Sequence, residues 1–173
     1  MNIKEIIRVD HAGERGAIRI YEGQLAALQL TKKDPELEKM VIHMKEHEQE
    51  HLAYFENQIA ERDMRPTIFL PLWDVAGFAL GFGSALLGKK YAMQCTASVE
   101  TLIDKHYQEQ IDWTEENTDE KELAEKMRKF REDELEHRDT AEDHGADYKG
   151  LLGLFDLAIQ TGCKLAISAT KRL

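Results

Sequence analysis

Four stretches of the chain repeat apolar side chains at steps of three and four, the spacing that lines one face of an α-helix. The first is expected from about Ile3 to Leu30, with Ile7, Glu14, Ala17 or Ile18, Tyr21, Leu25 and Leu28 on its stripe. Asp34 and Pro35 supply an N-cap and a first-turn proline. They start a second helix lasting to about Arg62, with Leu37, Val41, Met44, Glu48, His51, Phe55 and Gln58 or Ile59 inward. The third, about Lys89 to Glu116, carries Met93, Glu100, Ile103, Tyr107, Ile111 and Thr114, and the fourth, Asp119 to about Ala146, carries Leu123, Met127, Phe130, Glu134, His137 and Ala141.

The second and fourth stripes share one step pattern, and an offset of 86 carries Leu37, Val41, Met44, Glu48, His51 and Phe55 onto Leu123, Met127, Phe130, Glu134, His137 and Ala141. It also carries Glu14 onto Glu100 and Tyr21 onto Tyr107. The chain therefore reads as two diverged copies of a helical hairpin. Between them the apolar run from Pro66 to Gly88, within a crossover of about 64–88, must return the chain along the bundle. It is nearly long enough to cross a bilayer, but Pro71, Asp74 and its glycines argue for an interfacial or bundle-covering segment. A fifth, apolar helix is expected over about 148–170, with Lys164, Lys171 and Arg172 placed to meet anionic headgroups. The expected architecture is all-α: a ferritin-like four-helix bundle with a long crossover and an additional C-terminal helix, one domain over residues 1–173.

Acidic residues outnumber basic ones 33 to 23, so the chain lacks the positive surface that neutralises phosphates, and nucleic acid is excluded as a partner. Cys95 and Cys163 form no CxxC pair, which leaves neither a rubredoxin-like iron site nor a zinc knuckle and suggests two plain thiols in a reducing compartment. The N-terminus has no apolar signal core and is too acidic and Ser-poor for a transit peptide, so the protein is expected to stay where it is made unless a leader has been removed.

The chemistry lies inside the stripes. Glu14, Glu48, His51, Glu100, Glu134 and His137 stand where the helical pattern calls for apolar side chains, and Glu14–Glu48 and Glu100–Glu134 share one spacing of 34. Carboxylates buried together need a cation, because an unpaired buried charge costs several kcal/mol. One Glu from each of two helices, plus an ExxH pair from each of the other two, is the ligand set of di-iron and di-manganese carboxylate proteins. Four carboxylates balance two divalent ions, and oxygen-rich ligation with one imidazole apiece suits iron or manganese better than zinc or copper. Asp133, beside Glu134, is expected to accept a hydrogen bond from the distal nitrogen of His51 and fix its tautomer.

The segments RVDHAGERGAIRIYEGQ, MKEHEQEHLAYF, ASVETLIDKHYQEQI, EDELEHRDTAEDHGA and the terminal IQTGCKLAISATKRL together resemble the demethoxyubiquinone hydroxylase family, over nearly the whole chain. The resemblance implies a di-iron monooxygenase that hydroxylates the ring of a demethoxyubiquinone with O2. Glu48 and Glu134 would bridge two Fe ions, with Glu14 and His51, and Glu100 and His137, completing the shells. It further implies electrons from NADH, with His106 and Tyr107 matching the residues implicated in electron transfer; no Rossmann fingerprint is present, so NADH would bind without a dinucleotide fold. The apolar segments would draw the isoprenoid tail from the membrane surface, or meet an assembly partner of ubiquinone biosynthesis. The expected location is peripheral, on the cytoplasmic face of a bacterial inner membrane or the matrix side of a mitochondrial one.

Three other readings compete. A ferritin-like iron-storage protein would use the same ligands without an organic substrate, and a rubrerythrin-like peroxide reductase is weakened by the missing CxxC pairs. The run HEQEH from His47 to His51 matches the HExxH zinc-peptidase signature. The repeat offset, however, puts Asp133 where His47 stands, so the repeated frame selects ExxH and leaves His47 incidental. GSALLGKK, Gly83 to Lys90, resembles a P-loop but ends in Lys where Ser or Thr should hold magnesium.

Overall fold

A computed structural model describes residues 1–31 and 34–171; of the three basic residues near the C-terminus, Arg172 lies outside them. The described residues form six helices and no strand: α1 (Ile3–Leu30), α2 (Pro35–Glu61), α3 (Leu70–Leu86), α4 (Lys89–Asn117), α5 (Lys121–Asp143) and α6 (Gly150–Thr170). The bundle of α1, α2, α4 and α5 is the all-α architecture expected from the stripes, with α3 as the crossover and α6 as the additional C-terminal helix. The carboxamide oxygen of Asn2 accepts from the Glu5 amide to open α1, and Asp34 accepts from the Leu37 amide to open α2.

The fourth bundle helix is shorter than its sequence suggested. It begins at Lys121, and it ends at Asp143 because Gly145 takes a positive φ of 115°. The amides of Gly145 and Ala146 then turn back to the carbonyls of Glu142 and Ala141, the Schellman pattern that stops a helix.

Every predicted inward residue of α2 and α5 is buried except Gln58, whose alternative Ile59 takes the place. Two apolar clusters close the bundle at opposite ends. One gathers Ile7, Phe55, Tyr107, Ile111, Met127 and Phe130, and the other Ala17, Tyr21, Val41, Met44, Met93 and Ala141. The metal-type side chains fall between them, so their position along each helix follows from the apolar residues a turn above and below.

α1 and α4 bury about twice as many residues as α2 and α5, because α3 and α6 cover a second face of the first pair. α3 sits on α1 with backbones nearly touching. A Cβ at Gly81 would lie 1.9 Å from the Ile20 carbonyl oxygen, and one at Gly23 would lie 2.2 Å from that of Phe78. Glycine is required at both places by this approach. Arg15 donates two 2.7 Å hydrogen bonds to the Asp74 carboxylate, which sets the register of α3 on α1. α6 lies against α4 and α1 through Phe155, Ile159 and Cys163, and Trp73 of α3 donates to Thr170 at its end.

The outer faces of these two helices are apolar. Leu72, Val75, Leu151, Leu154, Leu157 and Leu165 are each more than half exposed. The 21-residue α6 is long and apolar enough to cross a membrane by length and composition, whereas α3 is shorter. Gly83 lies within α3 and Lys89 opens α4, so GSALLGKK spans a helix–helix junction with no strand before it.

Candidate metal centre

The six residues picked from the stripes converge in the middle of the bundle, none more than 4 % exposed. Their donor atoms form two groups, Glu14, Glu48, His51 and Glu134, and Glu48, Glu100, Glu134 and His137, with atoms in each within 4.8 Å of one another. Glu48 and Glu134 belong to both. His51 Nδ1 lies 3.4 Å from Glu14 and 3.2 Å from Glu134, while His137 Nδ1 lies 3.3 Å from Glu48 and 3.5 Å from Glu134.

Whether this set fits a metal pair is decided by its unpaired atoms. Both carboxylate oxygens of Glu48, both of Glu134, and Nδ1 of His51 and His137 are buried without a hydrogen-bond partner. Native proteins leave only a few such atoms and scatter them, so six facing a common centre call for cations. The electrostatics agree. Burial, with Glu134 and Glu14 nearby, pushes the Glu48 carboxyl well above its usual range, and burial with Glu134 does the same to Glu100. Burial works to raise Glu134 too, but the imidazoles of His137 and His51 hold it down at about 2.

The outer atoms are satisfied, and they follow the repeat. Tyr21 donates to Glu100 at 2.9 Å, and its counterpart Tyr107 donates to Glu14, the counterpart of Glu100. His51 Nε2 lies 3.0 Å from the Asp133 carboxylate, the contact expected from sequence. Its counterpart is a contact from His137 Nε2 to His47 Nδ1 at 3.2 Å. His47 is therefore not incidental. The offset of 86 that places it opposite Asp133 was the available signal, but a change from carboxylate to imidazole read as a mismatch. This same contact removes the zinc-peptidase reading, since His47 turns to His137 and takes no part in either donor group.

His106 and Tyr107 separate in role. Tyr107 reaches the centre through Glu14, whereas His106 touches none of the six and lies 3.1 Å from Gln110 Nε2. Burial, with Lys171 a lesser cause, lowers His106 to about 4. Gln110 also donates to Asp10 at 2.7 Å, leaving Asp10 Oδ2 and Gln110 Oε1 buried and unpartnered. Both hold stripe spacing, Asp10 between Ile7 and Glu14 and Gln110 between Tyr107 and Thr114, but a lone polar residue there reads as the solvent edge of its helix.

Asp10, His106, Gln110 and Tyr107 line a small cavity of about 30 Å³ that also touches Glu14, Glu48, Glu100 and Glu134. Beside it lies an apolar cavity of about 470 Å³, walled by α1, α3, α4 and α6. The two share Val9, Gly13, Ala17, Val99, Ile103 and Ile167 as common wall.

Residues 1–170 match the model of the family described as ubiquinone biosynthesis protein COQ7. The chain is 47 % identical over 172 residues to the NADPH-dependent 3-demethoxyubiquinone 3-hydroxylase, mitochondrial, of Dictyostelium discoideum, covering 99 % of this chain and 77 % of that protein. It is 46 % identical over 173 residues to the Homo sapiens protein of the same name, with 99 % and 78 % covered. The 3-demethoxyubiquinol 3-hydroxylase of Rhodospirillum rubrum is 45 % identical over 171 residues, with 99 % and 78 % covered. Two of these names carry NADPH, where the resemblance in sequence had implied NADH. Fold, buried cluster and similarity along the chain agree, and the chain belongs to the COQ7 family of ubiquinone biosynthesis proteins.

Proposed function

We propose that this chain is a di-iron monooxygenase that hydroxylates the ring of a 3-demethoxyubiquinone or its quinol, using O2 and a nicotinamide reductant. One observation carries the reading: a buried set of unpaired carboxylate and imidazole atoms shares its wall with an apolar cavity of about 470 Å³, within the range of ligand pockets. Glu14 with His51, and Glu100 with His137, would each hold one iron, with Glu48 and Glu134 shared between them. Iron bound there would supply the reduction of dioxygen that puts one oxygen atom on the ring and releases the other as water.

The protein's own part is to bind, orient and keep water out. The apolar cavity suits an isoprenoid tail, and the small cavity suits the edge of a ring. Asp10 Oδ2 and Gln110 Oε1, both unpartnered, can accept hydrogen bonds from the hydroxyls of a quinol ring, and His106 lines the same cavity. Tyr21 and Tyr107, whose hydroxyls burial keeps protonated, donate to Glu100 and Glu14 and hold those carboxylates in place. We assign His106 and Tyr107 to electron delivery from NADPH or NADH: both line the small cavity, and Tyr107 donates to Glu14.

The exposed leucines of α3 and α6 suit a protein lying on the inner membrane, bacterial cytoplasmic face or mitochondrial matrix side, where the tail can enter from lipid. A ubiquinone-biosynthesis assembly partner would use the same face. An iron-storage protein or peroxide reductase has no use for the apolar cavity.

The test is anaerobic loading with ferrous iron, then NADPH or NADH, isotopically labelled dioxygen and a short-tailed demethoxyquinone. A product carrying one labelled oxygen atom is expected. Iron uptake far beyond a pair per chain with no labelled quinone would favour storage and overturn the reading.

A further inference from the structure

The repeat places a different partner behind each imidazole of the pair. Asp133 Oδ2 lies 3.0 Å from His51 Nε2, and at the position 86 residues earlier His47 Nδ1 lies 3.2 Å from His137 Nε2. We propose that His47 is a positioning residue for His137, and that the change from carboxylate to imidazole makes the two metal positions inequivalent, the one beside His51 binding its ion first and more tightly. This rests on the di-metal reading of the site.

The direction of each bond follows from ligation. A neutral imidazole has one proton, and Nδ1 of both rings faces the glutamates. If Nδ1 binds metal, the proton must sit on Nε2, so His51 donates to Asp133 and His137 donates to His47. An anionic acceptor draws the proton more strongly than a neutral one and makes the imidazole in front of it the better donor. Asp133 also adds a negative charge on the His51 side that His47 does not supply.

Behind His47 the side chains step outward. The His43 ring meets it edge-on with centroids 4.3 Å apart, and His43 Nε2 lies 3.8 Å from Glu136. The His47 ring is held nearly parallel to His137, at 28° and 5.3 Å. It is thus held from both sides, which an incidental surface histidine would not be.

The experiment is an anaerobic titration of the metal-free full chain with Co2+, following heat and the visible ligand-field absorption of each step. Wild type is expected to bind two ions in steps about tenfold or more apart, the scale of removing such an outer partner. His47→Asp, which copies the Asp133 arrangement, should tighten the second step and bring the two within about threefold. His47→Gln keeps an acceptor and should leave both steps near wild type, while His47→Leu should weaken the second step alone. Melting of the metal-free variants separates a folding defect from a site effect. Two steps unchanged by His47→Asp and His47→Leu in folded protein would overturn the proposal while leaving the metal pair intact. Binding of no ion pair by wild type would overturn both.

Discussion

The centre of the bundle and the layer made by α3 and α6 invert the usual distribution of side chains. Between α1, α2, α4 and α5, the four glutamates and two histidines of the candidate centre are buried, while on α3 and α6 leucines and valine face outward. Each region is costly alone. Buried carboxylates repel one another and lose hydration, and an exposed apolar face gains nothing from folding. The proposed function accounts for each by a bound group: cations at the centre, lipid or a quinone tail at the layer. Where the two regions meet, a small cavity reached by acidic and histidine side chains shares a wall with the apolar one, the arrangement suited to a molecule with a polar head and an apolar tail.

Breaking the polar half should have the largest effect. Glu134→Ala removes a carboxylate common to both donor groups, so iron per chain should fall from two to below one, with turnover lost, by metal analysis of folded protein. Removing the metal from wild type should also cost stability. Ligand present at about a thousand times its dissociation constant contributes roughly 4 kcal/mol, so chelation should lower Tm by about 10 °C at the ~2–4 °C per kcal/mol typical of this size.

Breaking the junction with the apolar half comes next. Gly81→Ala improves helix propensity by up to ~1 kcal/mol, but its methyl would fall on the Ile20 carbonyl, and overpacking of ~1–3 kcal/mol should win. A lower Tm with metal content unchanged is expected. Within the cavities, Gly162→Leu projects into the apolar one, where a Cβ meets nothing within 4 Å. It should raise KM for a long-tailed quinone about tenfold, equivalent to ~1.4 kcal/mol, and leave a tail-less analogue unaffected. The smallest effect is expected from Tyr21→Phe, which loses one hydrogen bond to Glu100, worth ~1 kcal/mol, and should be seen as weaker metal retention against a chelator.

The same contrast explains what could be read from sequence. The α1, α2, α4 and α5 stripes were legible because each has one central face, and a Glu or His on it breaks an otherwise apolar pattern. α3 was read only as an apolar crossover because it is apolar nearly all round and carries no periodic stripe. Asp10 and Gln110 are hidden because a single polar residue at stripe spacing looks like a solvated edge until its partner on the other helix is known. His47 is hard to read for a different reason: the two repeats place hydrogen-bond acceptors of different chemistry, a carboxylate and an imidazole, at the same position.

The most direct test of the central claim is the iron content of the full chain after anaerobic ferrous loading and gel filtration, alongside Glu48→Ala. Two ions per wild-type chain and fewer than one in the variant are expected, both proteins remaining helical. One ion or none in wild type, or equal loading of the two proteins, would contradict the claim.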